Sequence, residues 1–465
     1  MKRLFVLGID GGTFDIINPL IEKGELPNMK KLIEKGASSL FYSITPPLTA
    51  LVWGSLQTGC NPGKHGIYDF CLLDENWKSR FINSKELKEK PFWLFLSDRG
   101  IKSVIVDCPL TYPVYKMDGI IVSGIETPSE MHTYTYPLEL KKELNDIGYV
   151  IEPNTYQKNE EEIRKIITNS FEKRIETAKM LLKKEWRFFL FFIRESDILQ
   201  HYFWNGEQVE ELYKKIDSFL GFLMEQDFDL IVFSDHGFEK LHKAININSL
   251  LVKEGYLALK GEEKGLVDKK KARKIIDSIG LTWLTRIVPR SFKKFLKEDV
   301  GFEEAIAKDL IDWSRTRAIT RRSVKTINVI LNTKERSSRG IVEEKDYNKL
   351  RDEIILKIKK LFEKERINAE IWKREELYSG NRLKDAPDII IYLPKGYEAN
   401  SLIFSDSIYA NLAERTIAEH NREGIFITKS KLKLKDKPGV MDFAPTILNY
   451  FSVPIPSHMD GKRIF

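Results

Sequence analysis

The stretch LIVFSDHGF, residues 230–238, decides the fold that the sequence predicts. Its first four residues are apolar, and such a short run is typical of a strand buried on both faces of a parallel sheet. The next polar residues include Asp235 and His236, which can reach one target only after the chain has left the strand. A carboxylate and an imidazole in this position suit a divalent metal ion, and zinc matches such mixed ligands best. A polar turn that ends a strand is the alternative.

Two other apolar runs are also followed by polar side chains. Leu4–Ile9 is followed by Asp10, and Phe188–Ile193 is followed by Asp197 and His201. Because ligands of open α/β sheets gather at the carboxyl ends of strands, both positions predict functional residues. Asp197 and His201 stand four residues apart, so a helical turn would present both to a single ion. An exposed surface pair is the alternative interpretation of these two residues.

Thr49 lies near the predicted N-terminus of a helix. Pro46 and Pro47 stop any regular element before it, whereas residues 50–57 have helical character. Backbone N–H groups at a helix N-terminus favour an anion, so the threonine hydroxyl is a candidate functional group. A helix-capping role is compatible with the same position. His420 lies in another polar segment, directly before a further apolar run.

The segment DGGT, residues 10–13, has a second interpretation. It resembles the first phosphate loop of sugar kinases related to actin. Those enzymes need a second loop of Asp-Gly-Thr type and a glycine-rich adenosine loop further along the chain. The sequence contains neither, which counts against a kinase.

Taken together, these motifs resemble the alkaline phosphatase superfamily, in its branch of type I phosphodiesterases and nucleotide pyrophosphatases. The matching segments are GIDGG, TALVWGSLQTG, DILQHYFW, SDHGF, EHNREGIFI and VMDFAPTIL. They cover residues 1–70, 185–245 and 385–465, with a loose fit between them. The resemblance implies an α/β/α sandwich around a central, mostly parallel sheet.

The same resemblance implies a site with two divalent metal ions, zinc being expected and manganese the alternative. One ion would be held by Asp197, His201 and His420, and the other by Asp10, Asp235 and His236, with Thr49 beside it. Two ions can hold the attacking and leaving oxygens of an in-line displacement. Thr49 would attack phosphorus and form a covalent phospho-enzyme, which water would then hydrolyse. This describes a phosphodiesterase or nucleotide pyrophosphatase.

Departures from the family pattern leave alternatives open. The nucleophile segment reads Thr49–Trp53, TALVW, where nucleotide pyrophosphatases have T-F-P-N-H, so the nucleotide preference is in doubt. A phosphomonoesterase or phosphomutase on the same fold is one alternative, and a catalytically silent protein that binds an anionic ligand is another. Residues 43–59 contain no Arg or Lys to hold a monoester dianion, which favours diesters.

The chain of 465 residues exceeds one simple core, so an insertion is expected. Residues 1–238 and 386–465 are predicted to form the metallo-phosphoesterase core, and residues 239–385 an inserted cap. The apolar run 388–392 is expected to resume the central sheet. The cap contains a basic run, residues 260–297, with twelve Lys or Arg against four Asp or Glu. A solvated surface, or a patch that attracts an anionic substrate, nucleic acid or lipid, would explain it.

Cysteine use and hydropathy indicate a cytoplasmic protein. Cys60, Cys71 and Cys108 have no metal-finger or redox-motif spacing, and we expect reduced packing residues. No signal peptide is evident, and no stretch approaches the roughly 18 apolar residues of a membrane helix. The substrate is expected to be a small phosphorylated molecule, and the sequence does not determine the oligomeric state.

Overall fold

The computed structural model describes residues 2–260, 310–400, 408–410, 412 and 416–465. The basic run predicted in the cap lies, apart from Lys260, outside the described residues. The strands of the described part are β1 (Leu4–Ile9), β2 (Ala37–Tyr42), β3 (Cys71–Leu73), β4 (Ser79–Phe81), β5 (Ser103–Cys108), β6 (Gly119–Ser123), β7 (Thr135–Tyr136), β8 (Phe188–Ile193), β9 (Asp229–Phe233), β10 (Gly237–Lys240), β11 (Lys243–Asn246), β12 (Ala318–Ser323), β13 (Thr326–Leu331), β14 (Glu370–Lys373), β15 (Ile389–Tyr392), β16 (Tyr397–Asn400), β17 (Tyr409–Ala410), β18 (Ala418–Asn421) and β19 (Glu423–Thr428).

The α-helices of the same residues vary from one turn to six turns in length. They are α1 (Phe14–Glu22), α2 (Pro27–Lys35), α3 (Thr49–Thr58), α4 (Pro62–His65), α5 (Phe92–Ser97), α6 (Leu140–Ile147), α7 (Glu160–Leu181), α8 (Glu195–Phe203), α9 (Glu207–Met224), α10 (Asn248–Lys253), α11 (Glu344–Glu365), α12 (Arg374–Leu377) and α13 (Phe443–Tyr450). None of these helices is long and apolar enough to cross a lipid bilayer.

The central sheet has eight strands in the order β2-β19-β9-β1-β8-β5-β6-β7. The five strands from β9 to β6 run parallel to one another, whereas β7 and β19 are antiparallel to their neighbours. All six residues of β8, FFLFFI, are buried, as expected for a strand covered on both faces. The prediction of a mostly parallel sheet is confirmed.

Two hydrophobic cores cover the opposite faces of this sheet. Along β1, Phe5 and Leu7 pack into one core, whereas Leu4 and Val6 pack into the other, as strand alternation requires. The first core is completed by buried residues of α1, α2, α7 and α9, and the second by those of α3, α5 and α13. The predicted α/β/α sandwich is therefore confirmed.

A second sheet has the strand order β14-β15-β13-β12 and is antiparallel throughout. Helix α11 contributes Leu350, Ile354, Ile358 and Phe362 to the core that this sheet shares. The expectation that residues 388–392 resume the central sheet is wrong, because β15 pairs with β13 and β14 instead. An apolar run shows that a strand is buried but not which partner it pairs with. The division at residues 238 and 385 stays a prediction.

Candidate active site

Parallel pairing brings Asp10 and Asp235 together. Strands β1 and β9 are neighbours in register, with Gly8 opposite Phe233, so the chain leaves both strands at the same edge of the sheet. The Asp235 carboxylate accepts a hydrogen bond of 3.4 Å from the backbone N–H of Gly11. Gly11 has a φ of +65°, and a Cβ at this position would lie 2.6 Å from the Phe238 ring. The turn after Asp10 therefore depends on glycine.

Helix α8 and strand β18 supply the next three candidate residues. Asp197 and His201 lie on one face of α8, with Asp197 Oδ1 3.5 Å from His201 Nε2. His420 reaches the same place from β18, where it is paired with Phe238 of β10, and its Nε2 atom lies 2.8 Å from Asp197 Oδ1. The helical turn predicted for Asp197 and His201 is thus present, and a strand distant in sequence completes the group.

Thr49 is the first residue of α3, and Leu48 occupies the N-cap position. All ten residues of this helix are buried, so packing fixes the direction of its N-terminus. The Thr49 hydroxyl lies 3.3 Å from His236 Nε2, and the threonine is only 6% exposed. Thr49 is therefore not the N-cap residue, and its hydroxyl is directed towards the candidate ligands.

The candidate ligands fall into two overlapping groups. In one, a ligand atom each of Asp197, His201 and His420 lies within 4.8 Å of the others, and in the other the same holds for Asp10, Asp197 and His236. Asp197 belongs to both groups and lies between them. Asp235 is beside the second group, with Oδ2 3.6 Å from His236 Nε2. All seven predicted site residues therefore meet at one edge of the central sheet.

The three imidazole rings share one orientation towards the backbone. The Nδ1 atoms of His201, His236 and His420 lie 3.0, 3.1 and 2.9 Å from the carbonyl oxygens of Ala418, Gly237 and Pro47. A carbonyl oxygen can only accept, so each Nδ1 carries the proton and each Nε2 presents a lone pair to the cluster. Metal-binding histidines in proteins are held in this way.

Carboxylate oxygens that lack hydrogen bonds lie in the same cluster. Asp235 Oδ2, Asp10 Oδ1 and Asp197 Oδ1 are buried, and among the described residues they have no partner with hydrogen-bond geometry. Buried acceptors of this kind are costly unless a proton or a cation satisfies them. Three imidazole lone pairs and three unsatisfied carboxylate oxygens fit divalent cations, which the resemblance implies.

Burial and the neighbouring charges of the cluster shift the pKa values of its three carboxylates. Burial, followed by the negative charges of Asp235 and Asp197, raises the pKa of Asp10 well above its usual range. Burial also raises the pKa of Asp235, against the opposing effect of His236 and His420. Burial by itself would raise the pKa of Asp197 as well. The neighbouring His201 and His420 outweigh this effect and hold the pKa of Asp197 well below its usual range.

A family model for type I phosphodiesterase / nucleotide pyrophosphatase matches residues 4–402. The chain belongs to this family. The resemblance inferred from the motifs is confirmed, and family membership makes the protein a phosphoric ester hydrolase. A small phosphorylated molecule is the class of substrate that fits the family, and divalent cations are the cofactors the family uses. No curated protein sequence matches the chain significantly.

Solved structures with the same fold include a phosphonoacetate hydrolase and an ectonucleotide pyrophosphatase / phosphodiesterase. A phosphonoacetate hydrolase from Sinorhizobium meliloti 1021, in complex with phosphonoformate, is 16% identical with a TM-score of 0.63, and the match covers 95% of this chain and 94% of that one. Murine ectonucleotide pyrophosphatase / phosphodiesterase 5 is 14% identical with a TM-score of 0.54, and the match covers 98% and 97%. At these identities the likeness shows the fold alone.

The sequence predicted only some of the residues that line the pocket at this site. It contains Asp10, Thr49, Asp197, His201 and His420 together with residues that were not predicted, among them Phe70, Glu152, Thr155, Arg194, Tyr202, Arg322 and Glu419. Arg194 directly follows β8, so the rule that identified Asp197 could have found it. Nothing in the sequence indicates that Arg322, from the second sheet, faces the same pocket.

A buried ion network anchors the start of α8. Arg194, at the N-cap position, donates to Asp107 at 2.8 Å and to Glu152 at 2.7 Å. Arg174 of α7 pairs with the same Asp107 carboxylate and donates to Glu195 at 2.6 Å. These side chains are nearly or fully buried, so each charge depends on its partner. The network therefore holds the helix that carries two candidate ligands.

Proposed function

We propose that the protein is a metal-dependent phosphodiesterase of the nucleotide pyrophosphatase type, with Thr49 as its nucleophile. The observation that carries the proposal is the 3.3 Å distance between the Thr49 hydroxyl and His236 Nε2. A phosphorus atom bound beside this hydroxyl would also lie against the cluster of unpaired carboxylate and imidazole atoms. The nucleophile and the groups able to stabilise the phosphate charge would thus share one pocket.

Two divalent cations would complete this site, with zinc expected and manganese the alternative. The residues that would hold them are Asp197, His201 and His420 for one ion, and Asp10, Asp235 and His236 for the other. When bound, such cations offset the charge of the phosphate oxygens and favour the alkoxide form of a hydroxyl nucleophile. The shared position of Asp197 between the groups supports two adjacent ions rather than two independent sites.

The reaction of this chain would proceed through Thr49. Its oxygen forms a bond to phosphorus while the bond from phosphorus to the leaving alcohol or nucleotide breaks. The N-terminus of α3 favours negative charge at the hydroxyl, and the buried helix holds the oxygen in place before the substrate arrives. Water then hydrolyses the phosphorylated or nucleotidylated threonine and restores the free hydroxyl.

Charge around the pocket favours a diester over a monoester. Arg194 is already paired with Asp107 and Glu152, and Arg322 lies 3.7 and 3.8 Å from the carboxylates of Glu398 and Glu419. The positive charge that these arginines offer to a substrate is therefore largely offset. A monoester dianion needs more compensation than a diester monoanion, and the second ester group of a diester could contact the apolar lining of the pocket.

A comparison of p-nitrophenyl phosphate, bis-p-nitrophenyl phosphate and phosphonoacetate under identical metal loading tests this proposal. We expect the highest kcat/KM for the diester. A clear preference for the monoester would contradict the phosphodiesterase assignment and favour a phosphomonoesterase or phosphomutase. Binding of all three without turnover would favour the catalytically silent alternative. Cytoplasmic localisation stays a prediction, as does any contact with nucleic acid or anionic lipid.

A further inference from the structure

A third group of metal-ligand side chains lies at the other end of helix α3. Ligand atoms of Cys60, Glu89 and His458 are all within 4.8 Å of one another. Thr49 opens α3, and Cys60 follows its last residue, Thr58, by two positions, so about 15 Å of helix separates this group from the nucleophile. It is therefore distinct from the candidate active site.

The donor atoms of this group have few other partners. His458 Nε2 is buried, has no hydrogen bond among the described residues, and lies 3.5 Å from Glu89 Oε2. The Cys60 side chain is fully buried, and within the described part of the chain its thiol has hydrogen-bond contacts with two carbonyl oxygens, of Thr58 at 3.4 Å and of His458 at 3.7 Å. The His458 side chain is 41% exposed, which leaves a path for an ion from solvent.

The local charge balance permits a cation at this position. The nearby Lys64 forms an ion pair with Asp460 and donates to the His458 carbonyl oxygen at 2.8 Å. Its charge is therefore offset by a carboxylate outside the group. Glu89, in contrast, has no Lys or Arg in ion-pair contact within the described part of the chain. The group retains a negative charge that a cation could neutralise.

A redox role for Cys60 fits less well than a ligand role. Burial, helped by the Glu89 charge, raises the pKa of the thiol to about 12. The free sulfur is thus protonated at neutral pH and is a poor nucleophile. Cys71 and Cys108 are also buried, and within the described part of the chain neither belongs to a group of metal ligands.

We propose that Cys60, Glu89 and His458 form a further binding site for a divalent cation of the zinc type. Sulfur, imidazole nitrogen and carboxylate oxygen are the ligands of such an ion, and water from the exposed side would take the fourth position. On binding, the thiol loses its proton to solvent and the sulfur bonds to the ion. The ion would connect three distant segments: the end of α3, the loop before α5 and the C-terminal tail.

Cobalt(II) is the probe that tests this site, because a thiolate bound to Co²⁺ gives a near-ultraviolet charge-transfer absorption. None of the proposed active-site ligands contains sulfur, so the absorption reports only the new site. The full-length protein, stripped of metal and titrated with CoCl2, is expected to show the band. Cys60→Ser is expected to abolish the band and to bind one Co²⁺ fewer per chain. Cys71→Ser, which changes another buried cysteine, is expected to retain both.

Two further variants separate loss of the ligand from loss of the fold. Glu89→Gln keeps the side-chain shape and is expected to weaken the Co²⁺ binding that the absorption band reports. His132→Asn, which changes an exposed histidine, is expected to leave this binding unchanged. Circular dichroism checks that each variant is folded. Absence of the band in the wild-type protein, or its persistence in folded Cys60→Ser, would overturn the proposal. Either outcome leaves the proposed phosphodiesterase activity unaffected.

Discussion

The Nε2 atoms of His201 and His420 lie 3.2 Å apart, although the Nδ1 atom of each ring faces a backbone carbonyl oxygen. Each Nδ1–H donates to its carbonyl, so two lone pairs face each other beside the Asp197 carboxylate. Two acceptors at this distance repel unless a proton or a cation lies between them. This pair is the strongest single indication that the site binds a metal ion.

The first prediction concerns this pair. His201→Asn should lower kcat/KM by at least about 100-fold and reduce the number of tightly bound divalent ions, because loss of a ligand costs more than loss of its supporting hydrogen bonds. Chelation should abolish activity, and zinc or manganese should restore it. Metal analysis and steady-state kinetics measure both effects, with His132→Asn as the exposed control. Full activity in the presence of a strong chelator would exclude a metal-dependent reaction.

The second prediction concerns the nucleophile. Thr49→Ala should lower kcat by on the order of 10³ or more, because loss of the attacking oxygen disables the catalytic unit. Thr49→Ser should recover much of the rate, since it restores a hydroxyl. Thr58→Ala, at the other end of α3, removes a hydroxyl that donates to Gly54 and should affect mainly stability. Mass spectrometry of rapidly quenched reactions should find the phosphorylated or nucleotidylated peptide only when residue 49 has a hydroxyl. Normal turnover by Thr49→Ala would require a different nucleophile.

The third prediction concerns the ion network at the start of α8. Asp107→Asn should reduce the free energy of unfolding by about 3 to 5 kcal/mol, because it leaves the buried charges of Arg174 and Arg194 short of a partner. Asparagine tolerates the positive φ of residue 107, so the backbone should not add to this loss. Urea denaturation measures the change.

A matched control for this network is the exposed pair of Lys23 and Glu210. Glu210→Gln should cost less than about 1 kcal/mol, since solvent screens exposed ion pairs. If both variants lose the same small amount of stability, the buried network does not anchor the fold as we infer.

The fourth prediction concerns pH and His65. Burial lowers the pKa of this ring to about 3, and Ile67 N–H donates to its Nδ1 atom while Nε2 lies 2.9 Å from the Ser55 hydroxyl. The unfolded chain protonates this histidine below about pH 6.5, whereas the folded protein does so only near pH 3. The unfolded state therefore binds more protons in this window, and stability falls as pH falls, by at most on the order of 5 kcal/mol.

Urea denaturation between pH 7 and pH 4 tests the fourth prediction. His65→Gln should be less stable than the wild-type protein at pH 7, and its stability should fall less steeply with acid. His132→Gln should keep the wild-type pH dependence, because this histidine is exposed. Parallel pH profiles for the wild type and His65→Gln would show that the ring is not buried in its neutral form.

Much of the candidate site could be predicted because its signals are local. Asp10 and Asp235 each come after a buried apolar run, and the carboxyl ends of parallel strands share one edge of a sheet. The four-residue spacing of Asp197 and His201 needs only one helical turn to bring them together. His420 carries no such signal of its own, and the resemblance to the family was needed to associate it with the others.

The sequence by itself determined the strand-and-helix pattern, the α/β class, the family and the seven candidate residues, because periodicity and short motifs depend on neighbouring residues. Only the tertiary structure decided the position of Asp197 between the two ligand groups, the pairing of β15 with the second sheet and the presence of Arg322 in the pocket. The same holds for the meeting of Cys60, Glu89 and His458. These relationships join residues far apart in the chain, and they follow from strand partners and side-chain packing, which no local pattern encodes.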